Sequence, residues 1–181
     1  DEEAEYYIGL NHKLHILKSS KPFNANTKLI KTGIAKNKES VIFLTKNGNL
    51  RKVKVSNLTA DTPLSNYCAN EEIVEMLFAA DIEDMDELIV VTKETSRVKK
   101  ITKEAFLEIE NGLLSKEKSA SFEYILLNHS NTNDILFSTA SGNLIRIKAD
   151  DIPSLSRSAL GVLLGKEKIE SCFQMNTGIL L

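Results

Sequence analysis

The sequence predicts an all-β, propeller-like disc, and three observations carry that prediction. First, three segments align at a fixed spacing: Val41-Ile-Phe-Leu-Thr-Lys-Asn-Gly-Asn-Leu50, Leu88-Ile-Val-Val-Thr-Lys-Glu-Thr-Ser-Arg97 and Ile135-Leu-Phe-Ser-Thr-Ala-Ser-Gly-Asn-Leu144, with Thr45, Thr92 and Thr139 each 47 residues apart. Second, each segment reads as a hairpin: a short β-branched or aromatic run, a polar turn, then a second run. Asn47-Gly48-Asn49 and Ser141-Gly142-Asn143 supply turn residues that tolerate positive φ. Third, each repeat holds about four short strands in roughly 40 to 50 residues, which is the arithmetic of a propeller blade.

Taken in order, the first unit, 6–40, is a weaker copy in which Tyr7-Ile-Gly-Leu-Asn-His-Lys-Leu14 leads into His15-Ile-Leu-Lys18. The second, 41–86, continues through the polar loop Asn57 to Asn70 into Ile73-Val-Glu-Met-Leu-Phe78, and the third, 87–133, ends on Phe122-Glu-Tyr-Ile-Leu-Leu127. The fourth is 134–168, and Ile169-Glu-Ser-Cys-Phe173 is expected to open a partial fifth, 169–181. Together they form one domain, 1–181, of about four to five four-stranded blades. Glu71 to Ala80 and Thr102 to Ile109 each have the Ala, Leu, Met and Glu content of a helical turn. The first is read as a strand because its counterpart, Tyr124 to Leu127, is one; the second is left open.

The 181 residues and 20.2 kDa suffice for a sizeable core without staples. Cys68 and Cys172 stand far apart with no CxxC, which excludes a disulfide framework or zinc ribbon and suits a reducing compartment. No apolar run is long enough to span a membrane as a helix, and the acidic N-terminus has the wrong charge for a signal peptide. The chain lacks an initiator Met and stops on Gly178-Ile-Leu-Leu181, and is expected to be a fragment of something longer.

The net charge of −2 argues against a nucleic-acid partner only when averaged. From Lys13 to Lys54 there are eleven Lys and Arg against one acid, Glu39; from Val55 to Thr92 there are nine acids and no base. Such segregation either steers an anionic partner or lets the two halves attract each other. The bases also recur in register. Period two puts Lys52 and Lys54 on one side of the second hairpin strand, the equivalent positions later carry Arg146 and Lys148, and one extra residue in the middle unit sets Lys100 opposite Lys52. Lys18 falls opposite Lys54. A basic stripe repeated along successive blades suits a phosphate backbone. The plainer reading is that outward-facing strand positions carry Lys or Arg to discourage edge pairing.

These residues resemble the C-terminal β-pinwheel domain of the A subunits of bacterial type IIA topoisomerases, DNA gyrase and topoisomerase IV. The resemblance rests on Ile42-Phe-Leu-Thr-Lys-Asn-Gly-Asn-Leu-Arg-Lys52, on Asp134-Ile-Leu-Phe-Ser-Thr-Ala-Ser-Gly-Asn-Leu-Ile-Arg146, and on Asp86-Glu-Leu-Ile-Val-Val91. Ser156-Arg-Ser-Ala-Leu-Gly-Val162 is similar to the family's Gly-Arg-x-Ala-x-Gly-Val segment, with Ser156 in place of the first glycine. The resemblance implies a non-catalytic β-pinwheel without cofactor or metal that binds and bends double-stranded DNA. It implies as partners the remainder of the A subunit and the B subunit of an ATP-dependent enzyme, in the cytoplasm and associated with the nucleoid. The DNA-contacting set expected on this basis is Lys18, Lys46, Arg51, Lys52, Lys54, Arg97, Lys99, Lys100, Lys103, Arg146, Lys148 and Arg157. The family's discs usually carry more blades than the four units counted here, which leaves room for an open disc. The glutamine-, arginine- and glycine-rich box of gyrase is absent, since Lys21-Pro-Phe-Asn-Ala-Asn-Thr-Lys28 stands where it would fall. That favours a topoisomerase IV-like member.

Signals for catalysis are thin. His12 and His15 would point to opposite faces of a strand with no third ligand, and His129 stands alone in a polar loop. Gly161-Val-Leu-Leu-Gly-Lys-Glu167 is one residue short of a phosphate loop and has Glu167 where Ser or Thr must bind Mg²⁺. Asp81-Ile-Glu-Asp-Met-Asp-Glu87 lacks the central glycine of an EF-hand loop. None of the four tyrosines is read as catalytic. The competing class is a propeller-like scaffold that binds a protein partner without DNA, for which an exposed apolar patch on a flat face is the expected signature.

Overall fold

A computed structural model describes residues 5–10, 14–18, 31–60, 62–114, 122–128 and 132–176. They form four antiparallel sheets in chain order. The first holds β1 (Glu5–Leu10), β2 (Leu14–Lys18) and β3 (Lys31–Lys36), ordered β2-β1-β3. The hairpin of the second is β4 (Ser40–Thr45) and β5 (Asn49–Lys54), flanked by β6 (Ile73–Leu77); a short helix α1 (Ala79–Glu83) follows. The hairpin of the third is β7 (Glu87–Thr92) and β8 (Arg97–Thr102), followed by helix α2 (Lys103–Leu107), β9 (Asn111–Leu113) and β10 (Phe122–Asn128). The fourth holds β11 (Thr132–Thr139) and β12 (Leu144–Lys148), then β13 (Val162–Leu163) and β14 (Ile169–Asn176) complete the chain order.

The blades interlock. The second sheet is ordered β6-β4-β5-β9 and the third β10-β7-β8-β13, so each takes its fourth strand from the segment that follows the next hairpin. The unit of the sequence therefore supplies three strands to its own blade and one to the blade before it, where four strands per unit in one blade were expected. The fourth sheet, β12-β11-β14, has three strands among the described residues. Its third strand corrects the sequence reading: Ile169-Glu-Ser-Cys-Phe173 does not begin a fifth unit but pairs with β11, as β6 pairs with β4 and β10 with β7. The reason is the repeat: once a short strand has gone to the blade before, the next strand returns to the free edge of the hairpin's first strand, as β10 does on β7 and 169–176 does on β11.

The 47-residue repeat holds at the level of single rungs. Val41, Leu88 and Ile135 pair with Val53, Ile101 and Ile147. The turns close with Gly48 and Gly142 at φ of 80° and 87°; in the middle hairpin, one residue longer, Ser96 takes the left-handed position at 54°. The helical ambiguities resolve locally. Residues 73–77 are a strand as expected, whereas 103–107 coil into α2, whose start is capped by Thr102 Oγ1 accepting from the Ala105 amide at 3.3 Å.

Three clusters of buried side chains form three seams between consecutive blades. Ala35 of β3 packs with Val41, Phe43, Met76 and Phe78; Ile42, Leu44, Leu50 and Leu77 pack with Leu88, Val90, Ile101 and Phe106; Ile89, Val91 and Val98 pack with Ile135, Phe137, Ile169 and Cys172. Both faces of β4 and β7 are thus covered, which is why they read as unbroken apolar runs and not as alternating strands. Gly33 lets Phe78 into the first seam, since a Cβ there would lie 2.4 Å from the ring. Cys68 and Cys172 are free, buried thiols; burial pushes them up to about 11 and about 12, so both stay protonated at neutral pH. No helix among the described residues is long and apolar enough to cross a membrane.

Candidate nucleic-acid interface

The strand that follows each turn carries the repeated bases, and the register sorts them into two rows. Counting from the turn, Lys52, Lys100 and Arg146 occupy one rung, opposite Ile42, Ile89 and Leu136. Lys100 thus stands at the Lys52 position of its blade, as the one-residue offset predicts. Two rungs on, Lys54 faces Ser40, Lys148 faces Asp134 and Thr102 faces Glu87. In the first blade the same rung pairs Tyr6 with Lys18, of which only the backbone position is described.

The two rows differ in electrostatics. Every member of the first row meets an acid: Lys52 Nζ lies 3.1 Å from Glu110 and 2.8 Å from the Leu107 carbonyl, Lys100 Nζ lies 2.8 Å from Glu87, and Arg146 holds Asp134 through Nε at 2.6 Å and through Nη2. Glu87 and Asp134 are equivalent residues at the start of their hairpins, so the pairing is itself part of the repeat. In the second row Lys54 and Lys148 are exposed and enter no ion pair among the described residues. A cation with an adjacent carboxylate presents little net charge to an anion, so the second row dominates the local field.

The remaining candidates scatter. Lys46 lies on a turn, 3.6 Å from Glu72. Arg51 is half-buried on the β9 side of its blade, opposite Asn111. Arg97 donates to the Gly161 carbonyl at 2.9 Å and Lys103 to that of Glu83 at 3.1 Å. Arg157 is exposed in the loop before β13, with Nη1 over Gly112 of β9, 2.9 Å from where a Cβ would stand. Lys99 departs from expectation. It is 1% exposed, and its ammonium donates to the carbonyls of Ser156, Arg157 and Ala159 at 3.2, 2.9 and 2.7 Å, so it does not face a partner in solution. Burial pulls its pKa from 10.5 down to about 8, which leaves it charged at neutral pH. The stretch Lys21 to Lys28, His12 and His129 lie outside the described residues.

The acidic block partly answers the basic one. Lys31 reaches Glu75 at 2.7 Å and Asp81 at 3.7 Å, joining the first blade to the second. Glu71 has a different task that the sequence reading missed. It accepts from Thr45 Oγ1 at 2.5 Å and from Asn49 Nδ2 at 2.7 Å, tying the turn of its own blade. Glu167 repeats this on Ser141 at 2.5 Å and Asn143 at 3.2 Å. Burial pushes the Glu71 carboxyl up, but the hydroxyl and amide donors and the nearby Arg51 charge hold it below the ordinary value; Glu167 is held low chiefly by Ser141. The readable signal is a Glu two residues ahead of the strand that follows each of these hairpins, Ile73 and Ile169. Among the described residues no group of three or more His, Cys, Asp or Glu could hold a metal ion.

Such an array of interlocked four-stranded blades defines a β-pinwheel. The family model for the DNA gyrase C-terminal domain, a β-propeller, matches residues 39–59 and 133–173. Among solved structures, the C-terminal domain of DNA topoisomerase IV superposes with a TM-score of 0.79 at 14% identity over 97% of this chain and 62% of that one. The C-terminal domain of E. coli ParC gives 0.65 at 12% over 97% and 80%, and that of DNA gyrase A 0.60 at 12% over 94% and 64%. The chain thus spans less than two thirds of the topoisomerase IV and gyrase A domains that it matches. No curated protein matches. The resemblance read from the sequence is borne out: the chain is a β-pinwheel of the kind that forms the C-terminal domain of type IIA topoisomerase A subunits.

Proposed function

We propose that this chain is a single, non-catalytic pinwheel domain that binds and bends duplex DNA and presents it to the rest of a bacterial, ATP-dependent type IIA topoisomerase, the remaining A subunit and the B subunit. It works in the cytoplasm, at the nucleoid. The observation that carries the reading is the repeated row of Lys54 and Lys148, exposed and without ion pairs among the described residues, with Lys18 on the same rung of the first blade. Cations at a fixed position of successive blades suit phosphates along a curved duplex, and lysines on such a row offer no bidentate pairing to base edges. Sequence selectivity is therefore weak and rests on bendability. Without the gyrase box, the topoisomerase IV-like mode is favoured over positive wrapping.

If about six phosphates are neutralised, log affinity falls with log salt at a slope of about −5. The test is binding to a duplex of about 40 base pairs at two salt concentrations, for the natural chain and for one with Lys52, Lys54, Lys100, Arg146 and Lys148 changed to Ala. A steep slope that the variant flattens supports the reading; no binding at low salt contradicts it. That outcome would favour a protein-docking scaffold, for which the exposed Leu144 and Phe173 on one face of the fourth blade speak.

A further inference from the structure

Lys99 and the loop before β13 form a unit that neither the paired row nor the exposed row explains. In the second blade the supplied strand runs straight on: the Lys52 amide bonds the Glu110 carbonyl and the adjacent Asn111 opens β9. In the third blade the equivalent Lys100 amide bonds the Pro153 carbonyl, but the strand resumes only at Val162. Residues 154–161 are an excursion between these points. Its ends are pinned by the Leu155 amide on the Lys100 carbonyl, by Ser154 Oγ on Glu87 and by Arg97 on the Gly161 carbonyl. At Gly161, with φ of 93°, a Cβ would sit 2.8 Å from the Val98 carbonyl, so the return to β13 is tight. Within the loop the Ala159 amide bonds the Ser156 carbonyl at 3.0 Å, and one side chain from the strand beneath reaches its middle. Lys99 directs its three ammonium protons to three carbonyls, and the acceptors include that of Arg157 itself.

We propose that Lys99 is a positioning residue, whose buried ammonium folds the 154–161 loop and sets the exposed Arg157 guanidinium over Gly112, where it meets a DNA phosphate at the junction of the second and third blades. This rests on the DNA-binding reading above and adds to it a residue that touches no DNA. Inward carbonyls without partners are costly; the Ser156 carbonyl accepts from the Ala159 amide at 3.0 Å, and Lys99 adds its ammonium there and at the Arg157 and Ala159 carbonyls. An ammonium supplies three donors on one atom, and its charge strengthens each bond. The same contacts fix the backbone on both sides of Arg157. A guanidinium held in place loses less freedom on meeting a phosphate than one on a free loop.

The test compares Lys99→Met, Lys99→Arg, Arg157→Ala and the double variant Lys99→Met/Arg157→Ala. The first measurement needs no DNA: limited trypsin cleavage after Arg157, whose carbonyl Lys99 holds. Lys99→Met is expected to be cut there about tenfold faster, with cleavage elsewhere unchanged, because apolar replacement of a buried charge often leaves packing intact. Lys99→Arg, which keeps charge and donors, restores resistance. In duplex binding, Arg157→Ala and Lys99→Met each flatten the salt slope by about one, as for the loss of one phosphate contact, and the double variant is no weaker than Arg157→Ala alone. Unchanged cleavage in Lys99→Met overturns the proposal, as do additive losses in the double variant. An open loop with Arg157→Ala binding DNA normally overturns the role of Arg157 in DNA contact and leaves the clamp standing. Should Lys99→Met unfold, the Nζ protons of the natural chain decide: slow exchange with water, detected by nitrogen-edited NMR, supports the clamp, and exchange as fast as at Lys54 overturns it.

Discussion

The seam between the second and third blades and the far face of the fourth are built from equivalent positions with opposite fates. Leu50 is 0% exposed, yet Leu144, on the same rung, is 66% exposed; Leu77 is 2% exposed and its counterpart Phe173 58%. The strand positions are equivalent and the side chains are all large and apolar. What differs is the next blade, with its helix α2 and returning strand: Leu50 meets one and Leu144 does not among the described residues. Burial in this fold is thus a property of the junction between repeats, and a blade's stability depends on its neighbour, as in other repeat architectures.

The largest expected effect breaks this comparison directly. Leu50→Ala and Leu77→Ala each cost about 2–5 kcal/mol, the range for buried leucines that leave a cavity, whereas Leu144→Ala and Phe173→Ala stay within about 0.5 kcal/mol. Denaturant titration of the four variants measures both arms; equal losses in the two regions would sink the comparison. Next is Gly161→Ala, which combines a positive φ with contact against the Val98 backbone and should cost about 1–3 kcal/mol by the same titration, while Gly142→Ala, with open space around its Cβ position, pays only for its φ of 87°. Replacing Glu71 with Gln removes a charged acceptor from Thr45 and Asn49 and costs about 1–2 kcal/mol; the matching change at Glu167, whose hydrogen bonds lie nearer solvent, costs less. The smallest effect is on acidification. Both carboxyls are held below 4.5 in the folded chain, so their contribution is complete above that value and disappears as pH falls through their lowered folded values. The melting temperature of Glu71→Gln should therefore approach that of the natural chain at low pH, and a constant gap across the titration would contradict the assignment.

Much of the fold was legible because the 47-residue spacing is the physical repeat, and rung-by-rung pairing follows once the threonines are aligned. The interlock was not. β9 and β13 are two or three residues long, too short for a periodicity signal, and their partner is chosen by distance along the disc and not by neighbouring sequence. The same gap led 169–176 to be read as the start of a unit when it closes one. Of the candidate site, the register of Lys52, Lys100 and Arg146 could be read from the spacing. Their neutralisation by Glu110, Glu87 and Asp134 could not, because two of those acids reach their partners diagonally across a hairpin and the third lies 58 residues on, just before β9. Lys99 carried a misleading signal: next to Lys100 on a strand it has the opposite face, and that face is covered by a loop 57 to 60 residues away.

The most direct test of the central claim separates the two rows of cations by changing only one at a time. Lys54→Ala with Lys148→Ala removes the exposed row; Lys52→Met with Glu110→Gln and Arg146→Met with Asp134→Asn removes two of the three pairs of the paired row without altering net charge. Binding of a duplex of about 40 base pairs across a salt series is predicted to lose about two from its log–log slope in the first variant and to keep its slope in the second. A slope kept in the first and lost in the second would contradict the account.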